Sequence, residues 1–120
     1  VGDWDPIADA LVAPDPAGIA HARGRTFRAF ADQTRSDRRA LAACIIGSRT
    51  ELSEAEVARI AQPTLIAVGT KDDIAGSADE LAALMPNATP FAIEGRDHML
   101  SVGDKTFKQR VLEFYREHPL

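Results

Sequence analysis

Residues 63–72 read Pro-Thr-Leu-Ile-Ala-Val-Gly-Thr-Lys-Asp. Within this stretch a continuous apolar run, Leu65 to Val68, is closed by Gly69 and followed by polar residues. An apolar run without alternating polar positions is typical of a strand that is buried on both faces, as in a parallel sheet. We therefore expect a parallel sheet in this part of the chain, with a polar loop at the carboxyl end of its first strand.

Downstream of this strand the pattern alternates between helix and strand. Ser77 to Glu80 has the sequence of a capping box and is expected to open a helix. Residues 89–93, Thr-Pro-Phe-Ala-Ile, predict a second strand, with Pro90 near its start or at a sheet edge because proline cannot donate to a ladder. From about Asp104 to Glu117 a last helix is predicted by an apolar stripe of Phe107, Val111, Phe114 and Tyr115. This order predicts a βαβα unit with a right-handed crossover.

The residues upstream of the first strand have the patterns of short helices. Asp5 followed by Pro6 is typical of a helix start, with Asp5 as the N-cap. Further helices are expected over about residues 17–31 and from near Ser36. Ser53 to Glu56 is another capping box, which predicts a fourth short helix before the first strand.

Together these patterns predict an α/β fold in which residues 1–62 form a helical segment and residues 63–120 form the βαβα unit. Two apolar strands do not make a stable open sheet by themselves. The exposed side of Leu65 to Val68 would be an unpaired apolar edge. We therefore expect a second copy of the chain, or a complementing N-terminal part, to pair with this edge.

Two loops of the βαβα unit carry residues that are suited to acid–base chemistry. Asp72 follows the first strand and His98 follows the second. The carboxyl ends of parallel strands lie at the same edge of a sheet, where open α/β sheets bind their ligands. A carboxylate there could hold one ring nitrogen of a histidine and leave the other free as a base. Asp73 is an alternative acid, whereas Arg96 and Asp97 are expected to shape the turn.

This arrangement resembles the last third of the α/β-hydrolase family. The resemblance rests on Gly69-Thr70-Lys71-Asp72 after an apolar strand, then a capped helix, a second strand, and Gly95-Arg96-Asp97-His98. It covers residues 63–117 well. The resemblance implies that Asp72 is the acid and His98 the histidine of a catalytic triad.

The same resemblance suggests a role for the helical segment. Residues 1–62 are similar, more loosely, to the cap that many α/β-hydrolases insert before the acid-bearing strand, and Val1-Gly2-Asp3 resembles the end of the strand before that cap. Phe27 and Phe30, together with Met99, are then candidates to line a substrate pocket. Packing in a core is the alternative for the two phenylalanines.

The family's nucleophile motif, Gly-x-Ser-x-Gly, is absent from the sequence. None of the serines has a glycine at both −2 and +2: Ser36, Ser48, Ser53, Ser77 and Ser101. The resemblance therefore implies that the chain is the C-terminal part of a hydrolase. The full-length hydrolase would cleave small esters or similar carbonyl compounds without a cofactor, and this part alone would be inactive. The first residue, Val1 rather than Met, favours a cut end. The missing nucleophile could be Ser, Asp or Cys. Because the sequence lacks the nucleophile motif, whether this chain is itself an enzyme stays open. The alternative is a non-catalytic module that self-associates through its open sheet edge.

The composition argues against several other functions. The chain has 14 basic and 18 acidic residues, and its net charge of -4 lacks the positive footprint of a nucleic-acid-binding protein. Cys44 is the only cysteine, so an internal disulfide is excluded, and a reducing, cytoplasmic location fits. Cys44 lies at helical spacing from Leu41 and Ile45, as a small core residue would. His21 and His118 have no partner at metal-ligand spacing, so no metal is expected. No apolar segment reaches the roughly 18 residues of a membrane helix, so no membrane partner is expected.

Overall fold

The structure, a computed structural model, describes residues 4–120. It combines helices with two parallel strands, which is compatible with the expected α/β class. Val1, Gly2 and Asp3, which were compared with the end of a strand, lie outside the described residues. The helices are α1 (Asp5–Val12), α2 (Ala22–Gln33), α3 (Arg38–Gly47), α4 (Glu54–Ala58), α5 (Ala78–Leu84) and α6 (Lys105–Glu117), and the strands are β1 (Thr64–Gly69) and β2 (Ala88–Ile93).

The chain divides into two compact units, Val1–Glu51 and Leu52–Leu120. Helices α1 to α3 lie in the first unit, and the other helices and both strands lie in the second. The sequence placed α4 in the helical segment before residue 63, but α4 contacts α5 and belongs to the second unit. The sheet and the loops that follow its strands therefore all belong to one unit.

The first unit packs three helices around a small apolar core. Ile7 and Leu11 of α1 are fully buried, and Ala31 of α2 is buried against them. Trp4 and Phe27 pack at the margin of this core, with their rings edge to face and their centroids 6.5 Å apart. Phe27 therefore contributes to the packing of its own unit, although it is only half-buried.

A buried arginine joins the end of α1 to α2. The Arg28 side chain is 5% exposed, and its guanidinium donates to the carbonyls of Ala10 at 3.2 Å and Ala13 at 2.6 Å. It also donates to the Asp32 carboxylate at 2.9 Å, and Arg38 of α3 lies 3.7 Å from the same carboxylate. The last carbonyl groups of a helix have no N–H donor within that helix, and at the end of α1 a side chain of α2 donates to them instead.

In the second unit β1 and β2 pair in parallel, with Thr64 opposite Ala88 and Gly69 opposite Ile93. Pro90 is the third residue of β2, a place that an edge strand tolerates. Helix α5 contacts both strands, and α6 contacts β1. Within residues 4–120 each strand has one neighbouring strand, so each presents one open edge.

The core of the second unit is shallow. Ile93 is buried, but neither α5 nor α6 contains a buried residue. The apolar stripe predicted for α6 is only half-buried at Phe107 and Phe114, and Tyr115 is exposed. The second unit therefore keeps much of its apolar surface in contact with solvent.

Two helix starts differ from the expectations. Trp4, not Asp5, is the N-cap of α1, because the Trp4 carbonyl already accepts the first helical hydrogen bond. Residues 17–31 do not form one helix, since a short 3₁₀ turn precedes α2. There Nδ1 of His21 accepts a hydrogen bond from the N–H of Gly24 at 3.0 Å, which caps α2 and fixes its start.

Cys44 was expected in a core but is exposed. The buried face of α3 runs through Ala42 and Ile45. At about 100° per residue, Cys44 lies about 200° from Ala42 around the helix axis, on the opposite side. The prediction that Cys44 is a core residue, made from its spacing with Ile45, was therefore wrong.

Candidate functional site

The loops after β1 and β2 leave the same edge of the sheet and are joined by main-chain hydrogen bonds. The N–H of Thr70 donates to the Ile93 carbonyl, and the N–H of Lys71 donates to the Arg96 carbonyl, each with an N···O distance of 3.0 Å. These bonds continue the strand pairing into the loops. They hold the two candidate catalytic residues on neighbouring pieces of backbone.

Asp72 and His98 form a hydrogen-bonded pair. Nδ1 of His98 lies 2.9 Å from Oδ2 of Asp72. The Asp72 side chain is 4% exposed, whereas that of His98 is 39% exposed. Asp73, the alternative acid, is exposed, and within residues 4–120 no hydrogen bond joins it to His98. The geometry thus pairs the histidine with a buried acid and leaves the ring open to solvent.

The second oxygen of Asp72 organises its own loop. Oδ1 accepts hydrogen bonds from the N–H groups of Ile74 at 2.8 Å and Ala75 at 2.9 Å. Burial acts to raise the pKa of Asp72, but the hydrogen bonds from Ala75, Ile74 and His98 outweigh burial and lower this pKa from its ordinary value. Asp72 is therefore ionised at neutral pH.

The ionised acid sets the tautomer of the histidine. A carboxylate can only accept hydrogen bonds, so the shared proton lies on Nδ1 of His98. In the neutral ring the lone pair is then on Nε2. Within residues 4–120 the ring has no other hydrogen-bond partner. Nε2 is therefore free to take a proton, which is what a general base requires.

A glycine allows the two loops to approach each other. A Cβ added to Gly69 would lie 2.1 Å from the Arg96 carbonyl oxygen and 2.7 Å from Oγ of Ser101. The first of these is a main-chain atom, which no rotation of a side chain can move away. The sequence indicated Gly69 only as the end of a strand, although a glycine there can also mark a close approach of two backbones.

The turn after β2 is held by Arg96 and Asp97, as expected. The Asp97 carboxylate accepts from the N–H of Leu100 at 2.9 Å, and its carbonyl accepts from the Ser101 hydroxyl at 2.6 Å. Nε of Arg96 donates to the Asp104 carboxylate at 2.7 Å. These bonds bind the turn to itself and to the start of α6.

Asp104 anchors this turn because it is also the N-cap of α6. The Thr106 hydroxyl, the Arg96 guanidinium and the N–H groups of Phe107 and Thr106 donate to its carboxylate, and they hold the pKa of Asp104 well below its usual range. The carboxylate is therefore charged at neutral pH, and its ion pair with Arg96 persists there.

An open cavity of about 550 Å³ adjoins the site. Asp72 forms part of its wall, together with residues of β1, β2 and the first turn of α5. The three candidate pocket residues are not in this wall: Phe27, Phe30 and Met99. Phe30 is exposed, and Met99 is half-buried directly after His98. A substrate-lining role for these three residues stays a prediction.

The other two histidines take part in local helix-end contacts. His21 caps α2, and Nδ1 of His118 lies 3.0 Å from the Phe114 carbonyl at the end of α6. In the part of the chain that the structure describes, no three His, Cys, Asp or Glu side chains are grouped so as to hold a metal ion. No helix in residues 4–120 has both the length and the apolar character needed to cross a membrane.

No protein-family model matches the chain, and neither curated proteins nor solved structures show a significant match to it. Function is therefore inferred from the site itself.

Proposed function

We propose that the chain is part of a hydrolase and, more narrowly, the C-terminal part of an α/β-hydrolase. The observation that carries this proposal is the hydrogen-bonded pair of Asp72 and His98 at the carboxyl ends of two adjacent parallel strands. A buried, ionised acid that holds a histidine through Nδ1 is the acid–base half of a catalytic triad. The order along the chain, with the acid before the histidine and each after an apolar strand, supports the same family.

In this proposal His98 is the general base and Asp72 orients it. Nε2 of His98 takes the proton of a serine hydroxyl or a cysteine thiol while that atom attacks the carbonyl carbon of an ester. The imidazolium then gives the proton to the leaving alcohol, and water hydrolyses the acyl-enzyme by the same two transfers. Asp72 stays ionised and stabilises the imidazolium. If the nucleophile is instead an aspartate, its carboxylate attacks a saturated carbon and opens an epoxide or displaces halide, and His98 then activates the water that hydrolyses the resulting ester.

The nucleophile and the oxyanion-binding groups come from outside residues 1–120, because no Gly-x-Ser-x-Gly motif occurs in the sequence. The open strand edges and the shallow core of the second unit support a complementing N-terminal part that completes the sheet. The proposed partners are this part and a small ester or similar carbonyl substrate. The proposed reaction needs no cofactor, nucleic acid or membrane.

Hydrolysis of p-nitrophenyl acetate by the purified chain tests whether the chain lacks a nucleophile of its own. Any exposed imidazole cleaves this ester slowly, so His118→Ala is the matched control for His98→Ala. We expect both variants to lose only the small rate of one exposed imidazole. If His98→Ala lost most of the hydrolysis rate while His118→Ala did not, the chain would supply its own nucleophile.

The orientation of the base is tested separately by ¹⁵N NMR of the imidazole rings. In the wild-type chain the neutral His98 ring should carry its proton on Nδ1. Asp72→Ala removes the acceptor and should move the proton largely to Nε2. A wild-type ring protonated mainly on Nε2 would contradict the role proposed for Asp72.

A second candidate function is a non-catalytic module that self-associates through β1. The N–H groups of Thr64 and Thr70 donate to the carbonyls of Asn87 and Ile93, on the side of β2. Because neighbouring residues of a strand alternate in direction, the N–H of Ala67 is directed to the open edge. An apolar strand with free N–H groups is a template for pairing with another strand.

A further inference from the structure

A threonine hydroxyl links the loop after β1 to the loop after β2. Oγ1 of Thr70 accepts a hydrogen bond from the N–H of Gly95 at 2.8 Å. The hydroxyl lies 3.5 Å from Oε1 of Glu94, to which it donates. The main-chain N–H of Thr70 also donates to the Ile93 carbonyl at 3.0 Å. Thr70 therefore contacts the last residue of β2 and the first two residues of the loop that follows it.

These three residues belong to one tight turn. The N–H of Arg96 donates to the Ile93 carbonyl at 3.3 Å, which closes a four-residue β-turn. Gly95 is at its third position with a φ of 72°, as a type II turn requires. In such a turn the N–H of the third residue takes no part in the closing hydrogen bond, so it can donate to another group. The Thr70 hydroxyl is that acceptor and holds the central peptide in one orientation.

His98 lies two residues beyond this turn, so the turn contributes to the placement of the imidazole, together with the bonds of Arg96 and Asp97. The position of Asp72 is fixed independently by the N–H groups of Ile74 and Ala75. Whether the ring reaches the acid therefore depends on the loop after β2.

We propose that Thr70 is a positioning residue, which holds the Gly95 N–H and thereby keeps the His98 ring within hydrogen-bond reach of Asp72. Thr70 also lines the cavity beside Asp72, but the effect proposed here acts on the ring through the turn. Its catalytic importance rests on the proposed function, whereas its effect on the ring orientation can be measured without any reaction.

The test compares Thr70→Val, which removes the hydroxyl at nearly constant volume, with Thr70→Ser, which keeps it. The readout is the fraction of neutral His98 that carries its proton on Nδ1, from imidazole ¹⁵N shifts. We expect Thr70→Ser to match the wild-type chain and Thr70→Val to lose at least half of this fraction. Thr26→Val makes the same change on an exposed threonine of α2 and should change nothing.

Thermal unfolding of each variant shows whether it is folded before its tautomer is compared. If Thr70→Val does not fold, Thr70→Ala removes the hydroxyl without placing a methyl group against Gly95, and the same loss is expected. A folded hydroxyl-free variant that keeps the wild-type tautomer would overturn the role of Thr70 alone. A wild-type chain without the Nδ1 proton would instead overturn the proposed function, so the two failures are distinguishable.

Discussion

Asp72 has two tasks at the scale of a single residue. One oxygen holds its own loop through Ile74 and Ala75, and the other holds the His98 ring. The ionised carboxylate is the better acceptor for both tasks, because protonation turns one of its oxygens into a donor. The order of the loop and the orientation of the ring should therefore change together when this group is protonated.

Replacement of this acid should cost stability in a way that depends on pH. The pKa of Asp72 is lower in the folded chain than its ordinary value, so the ionised group stabilises the folded state above the unfolded-state pKa, about 3.9. That contribution is lost as the pH falls through the folded-state pKa. The difference in unfolding free energy between wild type and Asp72→Asn, from urea denaturation, should be present at pH 7 and shrink below about pH 4. Asp73→Asn makes the same charge change at an exposed neighbour and is the control. A constant difference from neutral to acidic pH would contradict this assignment.

Gly69→Ala should separate the two loops. The added methyl group would meet the Arg96 carbonyl oxygen, and overpacking of this kind costs about 1–3 kcal/mol of unfolding free energy. Gly47→Ala is the matched control, because a Cβ there meets nothing within 4 Å and alanine favours a helix. Urea denaturation measures both variants. If Gly69→Ala were as stable as the wild-type chain, the close approach of the loops would not be needed.

The sequence predicted that Asp72 and His98 would lie close together, because each is in the loop that follows an apolar strand of a parallel pair. It did not predict the Thr70–Gly95 bond or the contact of Gly69 with Arg96. Both depend on the φ of one glycine and on the exact approach of two loops. No spacing rule for single residues contains that information.

At the scale of helices and strands, Arg28 connects α1 and α2 by hydrogen bonds rather than by apolar packing. Its guanidinium donates hydrogen bonds to two carbonyls at the end of α1 and to the Asp32 carboxylate. The hydrophobic periodicity of α2 gave no sign of this role, because an arginine in a helix usually marks the solvated face. The core residues of α1, by contrast, follow the helical spacing that the sequence shows.

Arg28→Ala should destabilise the first unit by about 1–3 kcal/mol, because it leaves the carbonyls of Ala10 and Ala13 without their donor. Arg39→Ala removes an exposed arginine of α3 and should change the unfolding free energy by less than about 0.5 kcal/mol. Chemical denaturation followed by circular dichroism measures both. Equal effects of the two substitutions would show that the buried hydrogen bonds of Arg28 do not contribute.

At the scale of the whole molecule the two units differ in how they are stabilised. The first unit buries apolar residues from all three helices, such as Ile7, Ala31 and Ile45. The second unit has open strand edges and half-buried helices. This contrast supports a partner for the second unit, either a complementing N-terminal part or another copy of the chain.

If another copy pairs with β1, the molar mass from light scattering should rise with concentration. Ala67→Pro removes an N–H that is directed to the open edge, because proline has none, and should abolish the rise. Ala67→Ser keeps the N–H and should associate like the wild-type chain. A monodisperse monomer at the highest concentration would rule out self-association and leave the complementing part as the remaining proposed partner.

The bonds that hold the acid–base pair lie between Gly69 and Asp104, inside one unit. Under the proposed function, the base is assembled before any nucleophile arrives. A hydrolase divided between nucleophile and acid would then behave as a split reporter, in which one fragment contributes a finished proton acceptor and the other contributes the nucleophile with its oxyanion-binding groups. Release of a coloured alcohol would signal that the two fragments had met.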